Sequence, residues 1–122
     1  MKPLPKFSYL SLILISLLAQ SCKTIKSTTY VEPERTFVLG EGNHEEFKVK
    51  VTNESTSDIE LYTTDNAGNV KLLAPVKPKQ TNKIKIEENT SLNFKNLSPT
   101  EKATLKLKIK GETSLSMGYK NN

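Results

Sequence analysis

Thr104–Lys110, TLKLKIK, decides the fold. In an extended chain successive side chains point to opposite faces. Leu105, Leu107 and Ile109 therefore fall on one side, and Lys106, Lys108 and Lys110 on the other. One dry face and one wet face point to antiparallel pairing, since parallel strands are usually buried on both.

The same period of two recurs outward from this stretch. Glu46–Thr52 sets Phe47, Val49 and Val51 against Lys48 and Lys50. Asp58–Thr63 sets Ile59 and Leu61 against Glu60 and Tyr62, and Thr81–Glu87 sets Ile84 and Ile86 against Lys83 and Lys85. Ser91–Lys95 contributes Leu92 and Phe94, and Leu115, Met117 and Tyr119 close the series. Thr36–Leu39 and Val70–Ala74 read as shorter strands. Gly-, Asn- and Pro-rich turns separate the runs, so strands recur about every ten residues. The expected fold is all-β: a small antiparallel sandwich of roughly seven or eight strands over residues 36–122. Its expected core is Phe47, Val49, Val51, Ile59, Leu61, Ile84, Ile86, Leu92, Phe94, Leu105, Leu107 and Ile109.

A weak internal repeat runs through the same region. KIKIEENTSL from Lys83 aligns with KLKIKGETSL from Lys106, and a looser copy starts at Lys48 as KVKVTNES. Each copy reads as a hairpin, although Lys/Glu/Thr-rich hairpins also resemble one another by composition alone. The simplest registers pair Ile86 with Leu92 and Ile84 with Phe94, then Ile109 with Leu115 and Leu107 with Met117. The copy at Lys48 would place Val51 opposite Ile59 and Val49 opposite Leu61. Lys50 then faces Glu60 and Lys48 faces Tyr62. The segment from Val51 to Leu97 also resembles small Ig-like and von Hippel–Lindau-like β domains. The likeness rests on the Asn53/Ser55 turn, Gly68 and the Pro78-to-Thr81 link; it implies a sandwich and nothing about partners.

Composition excludes several classes. With 122 residues, 35% hydrophobic and no Trp, the chain is too small and polar for a cofactor-sized α/β enzyme. A single Cys and a single His exclude a disulfide framework and a one-chain Cys/His zinc site.

The N-terminus stands apart. Lys2 and Lys6 precede the uncharged run Phe7–Ala19, which is shorter than the roughly 20 residues of a bilayer span. A charged start, a short apolar run and small residues at its end read as a secretory signal peptide over residues 1–21. The run ends in Leu18-Ala19-Gln20-Ser21-Cys22, which resembles the lipobox of bacterial lipoproteins, in the relaxed form familiar from Bacteroidota. The resemblance implies cleavage before Cys22, a diacylglycerol on its sulfur and an acyl chain, such as palmitate, on its amine. Ala19 rather than Leu stands three before the Cys. The other reading is a free thiol beside an ordinary signal-peptidase site, a liability in an exported protein. Residues 22–35 then read as the lipidated Cys and a flexible tether. Some lipoproteins of this group carry an acidic run after the Cys that sends them to the cell surface. Here Lys23, Thr24, Ile25 and Lys26 hold those positions, which by that resemblance implies an outer-membrane protein facing the periplasm.

Little in the chain suggests chemistry. His44, Glu45 and Glu46 are consecutive and point in different directions, so no metal site is expected there. Glu87-Glu88 falls in a turn, with no apolar pocket to raise a carboxyl pKa. No nucleophile or phosphate-loop motif is present, so neither an enzyme nor a cofactor is expected. The triplets at Asn53, Asn89 and Asn96 read as turn chemistry.

The lysines carry the functional signal. Lys48, Lys50, Lys83, Lys85, Lys106, Lys108 and Lys110 all lie on wet faces and would form a basic stripe if their strands shared a sheet. Glu60 and Glu87 are expected to interleave with them, because opposed like charges destabilise a sheet. In the copy at Lys106, Lys108 faces Ser116 and Lys110 faces Ser114. The uncompensated charge should centre on Lys106, Lys108 and Lys110. Two functions stand side by side: a non-catalytic binding or accessory module of the cell envelope with a protein partner, or a lipoprotein holding an anionic glycolipid or glycan. A solvated face whose lysines only discourage edge pairing is the blander reading. Nucleic acid is not expected, for want of aromatics on that face. Oligomeric state is not legible.

Overall fold

The computed structural model describes residues 23–122; the expected signal peptide 1–21 and the candidate lipid-attachment residue Cys22 lie outside them. Nine strands follow: β1 Thr24–Val31, β2 Arg35–Leu39, β3 Phe47–Asn53, β4 Ile59–Asp65, β5 Val70–Leu72, β6 Thr81–Ile86, β7 Thr90–Asn96, β8 Ala103–Gly111 and β9 Met117–Asn121. They form two antiparallel sheets, ordered β1-β8-β3-β6 and β5-β4-β7-β2-β9. The molecule is an all-β sandwich.

Period-two alternation places the core between the sheets. Val31, Phe47, Val49, Val51, Leu105, Leu107 and Ile109 pack against Phe37, Leu39, Ile59, Leu61, Leu92 and Phe94. The Phe37 ring lies 5.7 Å from that of Phe94 and 5.4 Å from that of Tyr119. The expected core is buried apart from Ile84, which is half-buried because β6 is an edge strand.

Connectivity overturns all three expected hairpins. β3, β6 and β8 lie in one sheet, whereas β4, β7 and β9 lie in the other. Val51 does not pair with Ile59, nor Ile86 with Leu92, nor Ile109 with Leu115. β3 pairs instead with β6 and β8, and β7 with β4 and β2. Each link is an arch over the end of the core rather than a turn within a sheet. The alternation of a strand fixes which residues are buried, but a strand facing its successor across the core buries the same residues as one beside it. A tight hairpin does join β4 to β5. There Asp65 Oδ1 accepts from the amides of Ala67 (3.0 Å) and Asn69 (2.9 Å), and Gly68 takes a φ of 86°.

The stretch expected as a flexible tether is structured from Thr24 onward. β1 pairs with β8 along its whole length, from Thr24 opposite Lys110 to Val31 opposite Ala103. Ile25, Ser27, Thr29 and Val31 face inward, with burial increasing toward Val31. Two of these four are small and polar, which hides the period from a search for large apolar side chains. Pro33 falls in the turn before β2. Similarly, Ser98 Oγ accepts from the amides of Thr100 (3.3 Å) and Glu101 (2.9 Å), as a helix cap would. No helix follows, because the chain enters β8 at Ala103.

Two of the Asn-x-Ser triplets brace the arches at one end. Asn53 and Asn96 are fully buried. Asn53 Oδ1 accepts from the Ser55 amide, and its Nδ2 donates to the carbonyls of Ser57 and Val76, all at 2.8 Å. Asn96 Oδ1 accepts from the Ser98 amide (3.0 Å), and its Nδ2 donates to the carbonyls of Val31 (3.0 Å) and Glu101 (2.8 Å). Each amide satisfies buried backbone groups that would otherwise cost about 1–3 kcal/mol apiece.

Val31 distinguishes strand from tether. Val31→Asp places an unpaired charge in the core, at a cost of several kcal/mol. Denaturant titration should show the domain unfolded or its midpoint sharply lowered. A midpoint equal to wild type would return residues 24–31 to the role of a linker.

Candidate functional site

The four-stranded sheet gathers every wet-face lysine of the repeat. Its strands β3, β6 and β8 each carry a Lys-x-Lys pair opposite the core, and β1 adds Lys26. Cross-strand register arranges them in rows. Lys26 lies opposite Lys108, Lys108 opposite Lys50, and Lys50 opposite Lys83, giving one lysine on each of four adjacent strands. The next row is Thr24, Lys110, Lys48 and Lys85. On the other flank Lys106 sits between Thr28 and Thr52.

Directly opposed side chains on a sheet start only about 4.5–5.5 Å apart at Cβ, so like charges there repel. The expected relief by Glu60 and Glu87 does not occur. Glu60 lies in the other sheet, opposite Lys95, and Glu87 follows the end of β6. Ion pairs form at the margins instead: Lys85 to Glu46 and Lys106 to Glu54, both at 3.6 Å and both solvent-exposed. Exposed pairs of this kind contribute at most about 1 kcal/mol. The row Lys26–Lys108–Lys50–Lys83 has no acid in it. The surrounding ammonium groups, Lys110 first and then Lys26, lower the pKa of Lys108, with partial desolvation and then Lys50 and Lys83 adding to the effect.

The lysine stems enclose two shallow troughs. One, of about 470 Å³, runs between β8, β3 and β6, floored by Val49 and Ile84 and walled by lysines that include Lys48, Lys50, Lys83 and Lys108. The other, of about 350 Å³, lies between β1, β8 and β3 beside Lys26, Lys50, Lys106 and Lys108. Lys50 and Lys108 line both. Ammonium groups offer only hydrogen-bond donors and positive charge, so the surface suits several phosphate, sulfate or carboxylate groups at once.

The candidate residues Lys106, Lys108 and Lys110 all project from β8 onto this face. The charge around them differs from the expected arrangement, because Lys106 has Glu54 nearby while Lys50 and Lys83 have no acid partner among the described residues. The centre shifts to Lys108 and Lys50. Lys26 was hidden in the presumed tether, and the alternation of Ile25, Ser27, Thr29 and Val31 was the signal that would have placed it.

No protein-family model matches the chain, and no curated protein matches it. The site is therefore characterised by its geometry. Elsewhere, His44 serves the fold. Its Nδ1 lies 2.6 Å from the Glu45 carbonyl and its Nε2 2.8 Å from the Thr90 carbonyl, with the ring edge-on to Phe47. Among the described residues no three His, Cys, Asp or Glu side chains gather as a metal site.

The outer face of the second sheet has a different character. Thr36, Val38, Ser91 and Asn93 point away from the core yet are buried. Lys120 reaches to 5.4 Å from the Tyr62 ring centre, although β9 and β4 stand three strand spacings, about 14 Å, apart. The two side chains lean together over β2 and β7.

The depressed Lys108 pKa has a defined sign. The folded state binds this proton less tightly than the unfolded chain, so repulsion is fully present below the folded pKa. It is relieved as pH rises toward the ordinary lysine value of 10.5. Relative to Lys108→Gln, wild type should gain stability as pH rises through that window, and also as salt is added at neutral pH. Paired thermal melts check both; a difference independent of salt and pH would mean the lysines do not sense one another.

Proposed function

We propose that the protein is a lipid-anchored, periplasm-facing envelope module that binds an anionic partner through its four-stranded sheet, without catalysis. The observation that carries the binding role is the acid-free row Lys26–Lys108–Lys50–Lys83. A face meant only for solvation gains nothing from stacking four like charges on adjacent strands, and opposed like charges weaken pairing. A bound polyanion would reverse the sign of that interaction. The lipobox-like sequence at Cys22 supports export and anchoring. Two acyl groups anchor a protein stably where one does so only marginally.

The binding role is tested with short-chain polyphosphate and residues 23–122, which contain the whole core. Near an anionic surface each lysine contributes about 1 kcal/mol, so Lys50→Gln/Lys83→Gln/Lys108→Gln should weaken binding on the order of a hundredfold. Salt should weaken it as well, as the Debye length falls from about 10 Å at 0.1 M to about 3 Å at 1 M. Calorimetry showing wild-type affinity in the triple variant would exclude this face, and no binding at low salt would leave a solvated surface.

Anchoring has its own measurement. Intact-mass analysis of the protein purified from envelopes should show Cys22 as the first residue, carrying lipid. Cys22→Ala should release any exported product into the soluble fraction. An unmodified Cys22 would refute the anchor and leave the lysine face untouched.

A further inference from the structure

We infer that the anionic partner is the headgroup surface of the anchoring membrane itself, on which the sandwich lies with its lysine sheet face down. The inference rests on the reading above and adds the identity of the partner. The first support is the missing tether. β1 pairs with β8 from Thr24, and the Lys23 carbonyl accepts from the Gly111 amide at 3.4 Å. Only Lys23 separates Cys22 from Thr24, so their Cα atoms lie within about 7.6 Å. A lipid on Cys22 would hold one corner of the four-stranded sheet at the bilayer surface.

The second support is which corner that is. β1 is an edge strand of the lysine sheet, and Thr24 stands in the row of Lys110, Lys48 and Lys85. The anchor therefore leaves from the margin of the basic face. Three strand spacings of about 4.8 Å and two-residue steps of about 6.7 Å make a patch roughly 14 Å on a side, wide enough to meet several phosphates at once.

The third support is the charge of the end from which the anchor leaves. The loops beside the start of β1 and the end of β8 carry Glu41, Glu45, Glu46, Glu87, Glu88 and Glu112. Ser114 hydrogen bonds hold the Glu112 carboxyl below its ordinary range, which favours its charged form. Standing upright, the sandwich would press this acidic end against anionic headgroups. Tipped onto the sheet, it presents lysines. The lipid holds the protein to the membrane, and the basic patch decides which side of the domain lies against it.

The test uses the mature lipidated protein in vesicles of phosphatidylethanolamine with phosphatidylglycerol, against vesicles of phosphatidylcholine alone. Amine acetylation followed by mass spectrometry reads each lysine. Lys48, Lys50, Lys108 and Lys110 should react about tenfold more slowly on the anionic vesicles, and 1 M salt should abolish the protection. Lys71 on β5 and Lys79 in the loop before β6 should react equally on both. Equal rates at the sheet lysines overturn the inference. If polyphosphate still binds the soluble domain in that case, the anionic-ligand reading stands with a soluble anion or an acidic protein as partner. If neither binds, both readings fall together. A mature protein without lipid at Cys22 overturns the inference alone.

Discussion

The apolar and the lysine faces of the four-stranded sheet belong to the same strands, and the first has to outweigh the second. Burying a Val, Leu, Ile or Phe side chain contributes about 1.5–3 kcal/mol. An opposed like-charge pair costs a fraction of that. β8 buries Leu105, Leu107 and Ile109 while exposing Lys106 and Lys110 and half-exposing Lys108, so burial wins on β8; β3 likewise buries Phe47, Val49 and Val51 beneath Lys48 and Lys50. The surplus lets the outer face carry an arrangement that destabilises the sheet. The second sheet carries no comparable rows, and on its outer face Lys120 meets the Tyr62 ring.

Connectivity concentrates the charge. Each repeat copy sends its Lys-x-Lys strand to one sheet and its returning strand to the other. Had the copies been hairpins, each sheet would have received a share of the lysines, with Glu60 among them. The arch from β3 to β4 depends in part on Asn53, whose amide donates to the carbonyls of Ser57 and Val76. A turn motif in the sequence thus bears on the surface electrostatics some distance away.

The fold class and most of the core were legible because burial depends on alternation, which one chain displays. Phe37, Leu39 and Val31 were missed as core residues because their strands are short or filled with Ser and Thr. Thr36 and Val38 are buried on the outward side as well, so β2 does not alternate in burial at all. Pairing was not legible. Ile86 opposite Leu92 and Ile86 facing Leu92's sheet across the core satisfy the same pattern, and no local residue decides between them. The lysine face was legible as a list of residues, and the row Lys26–Lys108–Lys50–Lys83 required the register of four strands distant in sequence.

The pairing of β1 with β8 also gives the molecule a direction in which it resists force. A pull on the backbone at Lys23 runs straight along β1. Against a load parallel to the strand, the eight residue pairs from Thr24–Lys110 to Val31–Ala103 are stressed together and must slide as a unit. Against a load perpendicular to the sheet, they open one after another from the Thr24 end, like a strip of tape lifted by its corner. The β1–β8 seam is stiff when drawn along the strand and yielding when peeled.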